Sequence, residues 1–214
     1  MPLFGDAAFL LQQLVLTIPA ILLAITFHEV AHGWTADKLG DPTARLAGRL
    51  TLNPLAHLDP IGALMLIVVK FGWAKPVPVN PYNLRRPLRD MVWVAAAGPT
   101  ANFLLAALSL VAFRWSVGFE LPFVTVPFRE LCRWSYIINL NLAAFNLIPI
   151  PPLDGSQILK GFLPRGALLS YERLEPYGFI VLVLFLMSGA SGIVLGPLVD
   201  ILGLGLRILV APLL

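Results

Sequence analysis

The chain has 214 residues, of which 58% are hydrophobic and only 13% charged, about half the charged fraction of an ordinary soluble domain. That composition excludes a water-soluble globule and indicates one membrane-embedded domain over residues 1–214, since no linker, charge block or internal repeat divides the chain. The formal charge of +3 comes from basic residues placed between apolar runs, which reads as a topology signal and excludes a nucleic-acid patch. Cys132 is the single cysteine, so an internal disulfide and a thiolate metal cluster are excluded too.

In chain order, residues 1–6 lack the basic start of a cleavable signal peptide, and 7–27 is expected to stay as a membrane helix. Apolar stretches at 7–32, 91–113, 131–150, 174–189 and 192–212 approach the roughly 20 residues a spanning helix needs. Ile61 to Phe71 would rise only about 16 Å as a helix, half a hydrocarbon core, and is expected to be re-entrant or interfacial. The fold expected is therefore an all-α polytopic membrane protein with about five transmembrane helices.

Gly40-Asp41-Pro42 and Asn53-Pro54 bracket Thr43 to Leu52, predicting a short strand pair. Lys75 to Pro81 predicts another extended piece. Pro76 and Pro78 would remove donors from one edge, because residues two apart direct their N–H groups the same way. The segments 33–60, 70–90 and 155–173 hold eleven basic residues, among them Arg85, Arg86, Arg89, Lys160 and Arg165. By the positive-inside rule these segments and the strands are cytoplasmic, and the N-terminus is outside.

His28-Glu29-Val30-Ala31-His32 closes the first apolar run. On a helix, histidines four residues apart are rotated by about 40° and separated by about 6 Å along the axis, so both can face one metal ion. Glu29 lies beside that face, where it can take a proton from a metal-bound water. With this composition the pattern arises by chance in roughly one shuffled sequence per thousand, and ionisable groups at membrane depth usually mark function. A catalytic zinc site uses three protein ligands and one open position. The third ligand is best sought at Asp154, which follows the proline-rich break Asn146 to Leu153 at the inner end of an apolar span; a plain turn and helix cap is the alternative there.

These motifs resemble the site-2 proteases, a family marked by HExxH on one transmembrane helix and Asn-x-x-Pro...Leu-Asp-Gly on a later one, here Asn146, Pro149 and Leu153-Asp154-Gly155. Gly98-Pro99-Thr100-Ala101-Asn102 is similar to the family's Gly-Pro-x-x-Asn signature. The resemblance implies one zinc ion held by His28, His32 and Asp154, with Glu29 as general base. It also implies transmembrane-protein substrates and a multi-pass place in a prokaryotic cell membrane, with the active site toward the cytoplasm. No PDZ insertion fits in the roughly fifteen residues between the spans ending near 115 and starting near 131.

Asn146 is expected to touch the substrate backbone or the tetrahedral intermediate. Asn102 is read as a helix-joining amide or a further site residue, and His57 as a loop histidine or an extra active-site group. Transmembrane substrates must unwind before a carbonyl can react, and the extended pieces at 43–52 and 76–80 are expected to hold them by strand addition. The alternative function is a metal transporter using the same His/Asp cluster; it has no need of Glu29, and the internal repeat such folds often carry is not found here.

Overall fold

The structure, a computed structural model, describes residues 3–69, 72–118 and 122–213; Lys70 and Phe71, at the end of the expected short segment, lie outside the described residues. The helices are α1 (Leu3–Leu39), α2 (Thr43–Leu46), α3 (Pro60–Val69), α4 (Pro87–Ser116), α5 (Pro122–Asn146), α6 (Asp154–Lys160), α7 (Arg165–Glu172), α8 (Gly178–Met187) and α9 (Ala190–Val210). Leu14–Leu39, Pro87–Ser116 and Ala190–Leu213 are long and apolar enough to cross a membrane.

α1, α4 and α5 pack against one another, and α9 lies against α4 and α5. The buried faces are made of small residues: Ala20, Ala24 and Ala36 on α1, Ala95 and Ala106 on α4, Ala143 and Ala144 on α5. Lipid tails are as apolar as leucine, so burial of large side chains drives no association here; small residues let backbones approach and gain dispersion contacts. The large ones, such as Leu14, Ile18 and Leu23 on α1 and Leu104 and Leu108 on α4, are exposed on the outer faces. Leu140, Leu206 and Val210 close around Ala106 where α4, α5 and α9 meet.

Two of the expected spans change. The span sought at 131–150 belongs to a longer helix, α5, which begins at Pro122 and ends at Asn146; its first half carries Arg129, Glu130 and Arg133. The span sought at 174–189 resolves into a 3-10 turn, Glu175–Tyr177, and the ten-residue α8, about 15 Å long. Gly189 ends that run with φ +75°, the left-handed conformation that glycine adopts without strain. α3, also ten residues, has the short length expected of the 61–71 segment.

The cytoplasmic strand pair is also corrected: no strand occurs among the described residues, only an isolated antiparallel bridge between Leu58 and Ala74. Thr43–Leu46 is a helical turn because the Asp41 carboxylate accepts the Thr43 N–H at 3.1 Å, satisfying a donor at the helix start. Gly48, at φ +66°, then reverses the chain. Residues 75–80 form neither helix nor ladder; they run as a strap over the end of α1, where the Val77 N–H meets Glu29.

Candidate metal centre

His28 and His32 stand one helical turn apart on α1, and Asp154 is the first residue of α6. Their ligand atoms converge: His28 Nε2 lies 3.2 Å from Asp154 Oδ2, His32 Nε2 lies 3.3 Å from Asp154 Oδ1, and the two Nε2 atoms are 3.0 Å apart. Around a tetrahedral zinc with bonds of 2.0–2.1 Å, ligand atoms sit about 3.3 Å from each other; the two ring nitrogens have that spacing, and so does each of them with its nearer Asp154 oxygen, one oxygen per ring.

Hydrogen bonds behind the rings decide which nitrogen carries the proton. His32 Nδ1 is 2.7 Å from the Val94 carbonyl oxygen, which only accepts, so Nδ1 must donate. His28 Nδ1 is 2.7 Å from Asn102 Oδ1. The Asn102 amide nitrogen donates to the Ala24 carbonyl at 3.0 Å and to Asn139 Oδ1 at 2.9 Å, and Asn139 in turn donates to the Ser135 carbonyl at 2.9 Å. This chain fixes Asn102 Oδ1 toward His28, whose Nδ1 also donates. With both rings neutral, as metal ligands are, both Nε2 atoms then present lone pairs to each other and to a carboxylate. Three acceptors about 3 Å apart repel unless a cation lies among them, and orientation of a ligating imidazole by a partner on its other nitrogen is the usual metal-site arrangement.

α1 and α4 supply this in matching four-residue steps. Ala24, His28, His32 and Ala36 form one row on α1; Val94, Gly98 and Asn102 form the facing row on α4. A Cβ on Gly98 would sit 2.4 Å from His32 Nε2 and 2.6 Å from His28 Cε1, so the glycine makes room for the two rings. Gly155 does the same for α6: a Cβ there would meet the Leu147 carbonyl oxygen at 2.3 Å, which is how the chain after the proline break folds back closely enough to bring Asp154 to α1.

Glu29 is buried, and its Oε2 accepts the Val77 backbone N–H at 2.8 Å. His28, Glu29, His32 and Asp154 share the wall of a cavity of about 1070 Å³. Asn146 also lines it, as does Asn141; each donates an amide N–H to the carbonyl one turn back, Leu142 at 3.0 Å and Ile137 at 2.8 Å. Asn102, fully buried, stands behind His28 and is not part of the cavity lining. His57 is fully buried in its own loop, its Nε2 2.8 Å from the Thr51 carbonyl oxygen, and it too is absent from the lining.

The Val77 and Val94 backbone partners and Asn139 are absent from the sequence reading. Backbone groups leave no side-chain signature, though the proline pattern around Val77 pointed to a one-sided edge. Asn139 was visible as one of three asparagines in an apolar run. Asp41 is a further buried carboxylate. Burial would raise its pKa, but donors from the Thr43 hydroxyl, the Asn83 amide and the Asn80 and Thr43 N–H groups hold it below the usual carboxylate value.

The sequence profile of Peptidase family M50 matches residues 121–189, the part that carries Asn146, Pro149 and Leu153-Asp154-Gly155. A Bacillus subtilis protein named "Putative zinc metalloprotease YwhC" is 38% identical over 89% of this chain and 87% of its own length. Two proteins named Rip2, described in the same words, are similar as well: the one from Mycobacterium tuberculosis is 30% identical over 83% of this chain and 69% of its own, and the one from Mycolicibacterium smegmatis 29% over 82% and 68%. No solved structure matches.

Proposed function

The chain belongs to peptidase family M50, the site-2 proteases, and on that premise we propose that it is an intramembrane zinc endopeptidase acting on transmembrane proteins. The observation that carries this reading is the convergence of the His28 and His32 lone pairs with the Asp154 carboxylate, beside Glu29, on the wall of one large cavity. Those three residues would hold the zinc, which when bound would supply a Lewis acid for water activation and carbonyl polarisation. Glu29 takes the proton from the attacking water and returns it to the leaving nitrogen. Asn102 acts behind the site, orienting His28, while Asn146 meets the backbone of the bound substrate.

The cavity is lined mainly by apolar side chains such as Ile25, Phe145 and Leu182, suited to a segment drawn from lipid. Such a segment must unwind before its carbonyl is accessible. The basic segments 33–60, 70–90 and 155–173 support a cytoplasmic position for the catalytic end of α1. A metal transporter does not account for the relatives, which are named as metalloproteases.

The test is Glu29→Gln, which keeps size and removes the base. The purified variant should retain zinc while cleavage of a membrane substrate in liposomes falls at least about 100-fold, the lower range for a general base. Zinc-loaded Glu29→Gln enzyme with wild-type turnover would overturn the reading.

A further inference from the structure

A general base must keep one carboxylate oxygen on the reacting water, and a glutamate has three side-chain torsions with which to lose that aim. Glu29 spends Oε2 on the Val77 N–H, and among the described residues Oε1 has no hydrogen-bond partner. What holds Glu29 is thus a backbone group, placed by the strap at 75–80.

The strap is built to offer that one donor. Pro76 and Pro78 have no N–H, so Val77 supplies the single backbone donor of residues 76–78. The Lys75 N–H donates to the His57 carbonyl at 3.0 Å, and two residues on the Val77 N–H donates to the Glu29 carboxylate. Both ends are pinned. The Arg49 guanidinium donates to the Lys75 carbonyl at 2.8 Å, and the Asn80 N–H donates to Asp41 Oδ2 at 2.7 Å. Gly33, four residues after Glu29, admits this packing: a Cβ there would lie 2.6 Å from Leu50, 3.0 Å from Ala44 and 3.8 Å from Val77. Pro76, Val77 and Val79 also face the cavity.

We propose that the Val77 backbone N–H is a positioning group for the general base, fixing the Glu29 carboxylate against α1 so that its second oxygen faces the reacting water. The strap therefore serves the catalytic residue with this donor. Pro76 and Pro78 offer no N–H, so a substrate lying along the strap meets no donor at those positions and cannot pair with it as a full ladder, which revises the expected strand addition. The proposal rests on the proteolytic reading above, and the experiment separates the two.

Replacing Val77 by its α-hydroxy analogue turns the amide into an ester, keeping the side chain and deleting only the N–H. With zinc content unchanged, kcat should fall about 10- to 100-fold, the worth of a hydrogen bond to a charged group, with little change in KM. In a Glu29→Gln background the same ester should cost almost nothing further. An ester enzyme with wild-type kcat, or an equal loss in both backgrounds, would overturn the positioning role while leaving the protease assignment intact. A fully active Glu29→Gln enzyme would remove the base itself and overturn both. Amide hydrogen exchange in the full-length protein needs no ester. Val77 exchange should quicken at least about tenfold in Glu29→Ala, while Lys75 and Asn80, held by His57 and Asp41, stay protected; unchanged protection at Val77 would refute the bond.

Discussion

The substitution Gly98→Ala isolates the space on which the centre depends. Its methyl group would lie 2.4 Å from His32 Nε2 and 2.6 Å from both His28 Cε1 and His32 Cε1, where ordinary contact begins at 3.4 Å. By difference the His32 ring must retreat about 1.0 Å and the His28 ring about 0.8 Å. Zinc–nitrogen distances tolerate about 0.2 Å, and each ring is tied on its other side, to Val94 or Asn102, by a bond of 2.7 Å. Since removing one supporting partner costs about 10- to 100-fold in metal affinity, displacing both ligands should cost at least about 100-fold. Chelator competition with zinc quantified by mass spectrometry reads this directly, and cleavage should fall in parallel. Gly205→Ala on α9, where a Cβ meets nothing within 4 Å, is the control and should leave zinc unchanged. Wild-type zinc affinity in Gly98→Ala would refute the packing argument.

Asn102→Leu should lower zinc affinity about 10- to 100-fold by leaving His28 Nδ1 without an acceptor, with Asn139→Leu following in the same direction to a smaller extent; both are read by the same chelator titration. Asp41, whose folded pKa is depressed, contributes stability that is present above its unfolded value near 3.8 and lost as pH falls through the lower folded value. Thermal unfolding in detergent should thus show Asp41→Asn destabilised at neutral pH and less sensitive than wild type to acid below the unfolded value near 3.8. Single cysteines at the exposed positions 85 and 165 should label in intact cells only after permeabilisation; labelling of position 85 from outside would invert the proposed topology.

Much of the centre was legible because it depends on side-chain chemistry at helical spacing. His28 and His32 announce a shared face by their separation alone, and Asp154 stands after a proline break that no uninterrupted membrane helix would contain. The fold was less legible where backbone satisfaction decides the outcome. Thr43 to Leu52 has the turn residues of a hairpin, but the buried Asp41 carboxylate takes up the Thr43 N–H and hydroxyl and so starts a helical turn. α8 is shorter than the apolar run 174–189 because the start of that run, with Pro176, forms the 3-10 turn Glu175–Tyr177 and the helix begins only at Gly178. For His57 the loop context predicted either role, and its Thr51 contact lies within six residues of sequence.

The asparagines show why polar residues in apolar runs resist a single reading. Asn102, Asn139, Asn141 and Asn146 are chemically alike, and the sequence offers the same choice for each between joining helices and meeting substrate. Their partners divide them. Asn102 and Asn139 spend both ends of their amides within the bundle, in a chain that runs from the Ser135 carbonyl to the His28 ring. Asn141 and Asn146 donate only to their own helix, keep their amide oxygens, and line the cavity. A saturated amide holds the metal ligand in one tautomer, whereas an amide with an unused oxygen can accept an N–H from an unwound substrate. The division follows from position on α4 and α5: Asn102 meets the α1 backbone and its histidine and donates to Asn139 behind it, whereas Asn141 and Asn146 face the cavity.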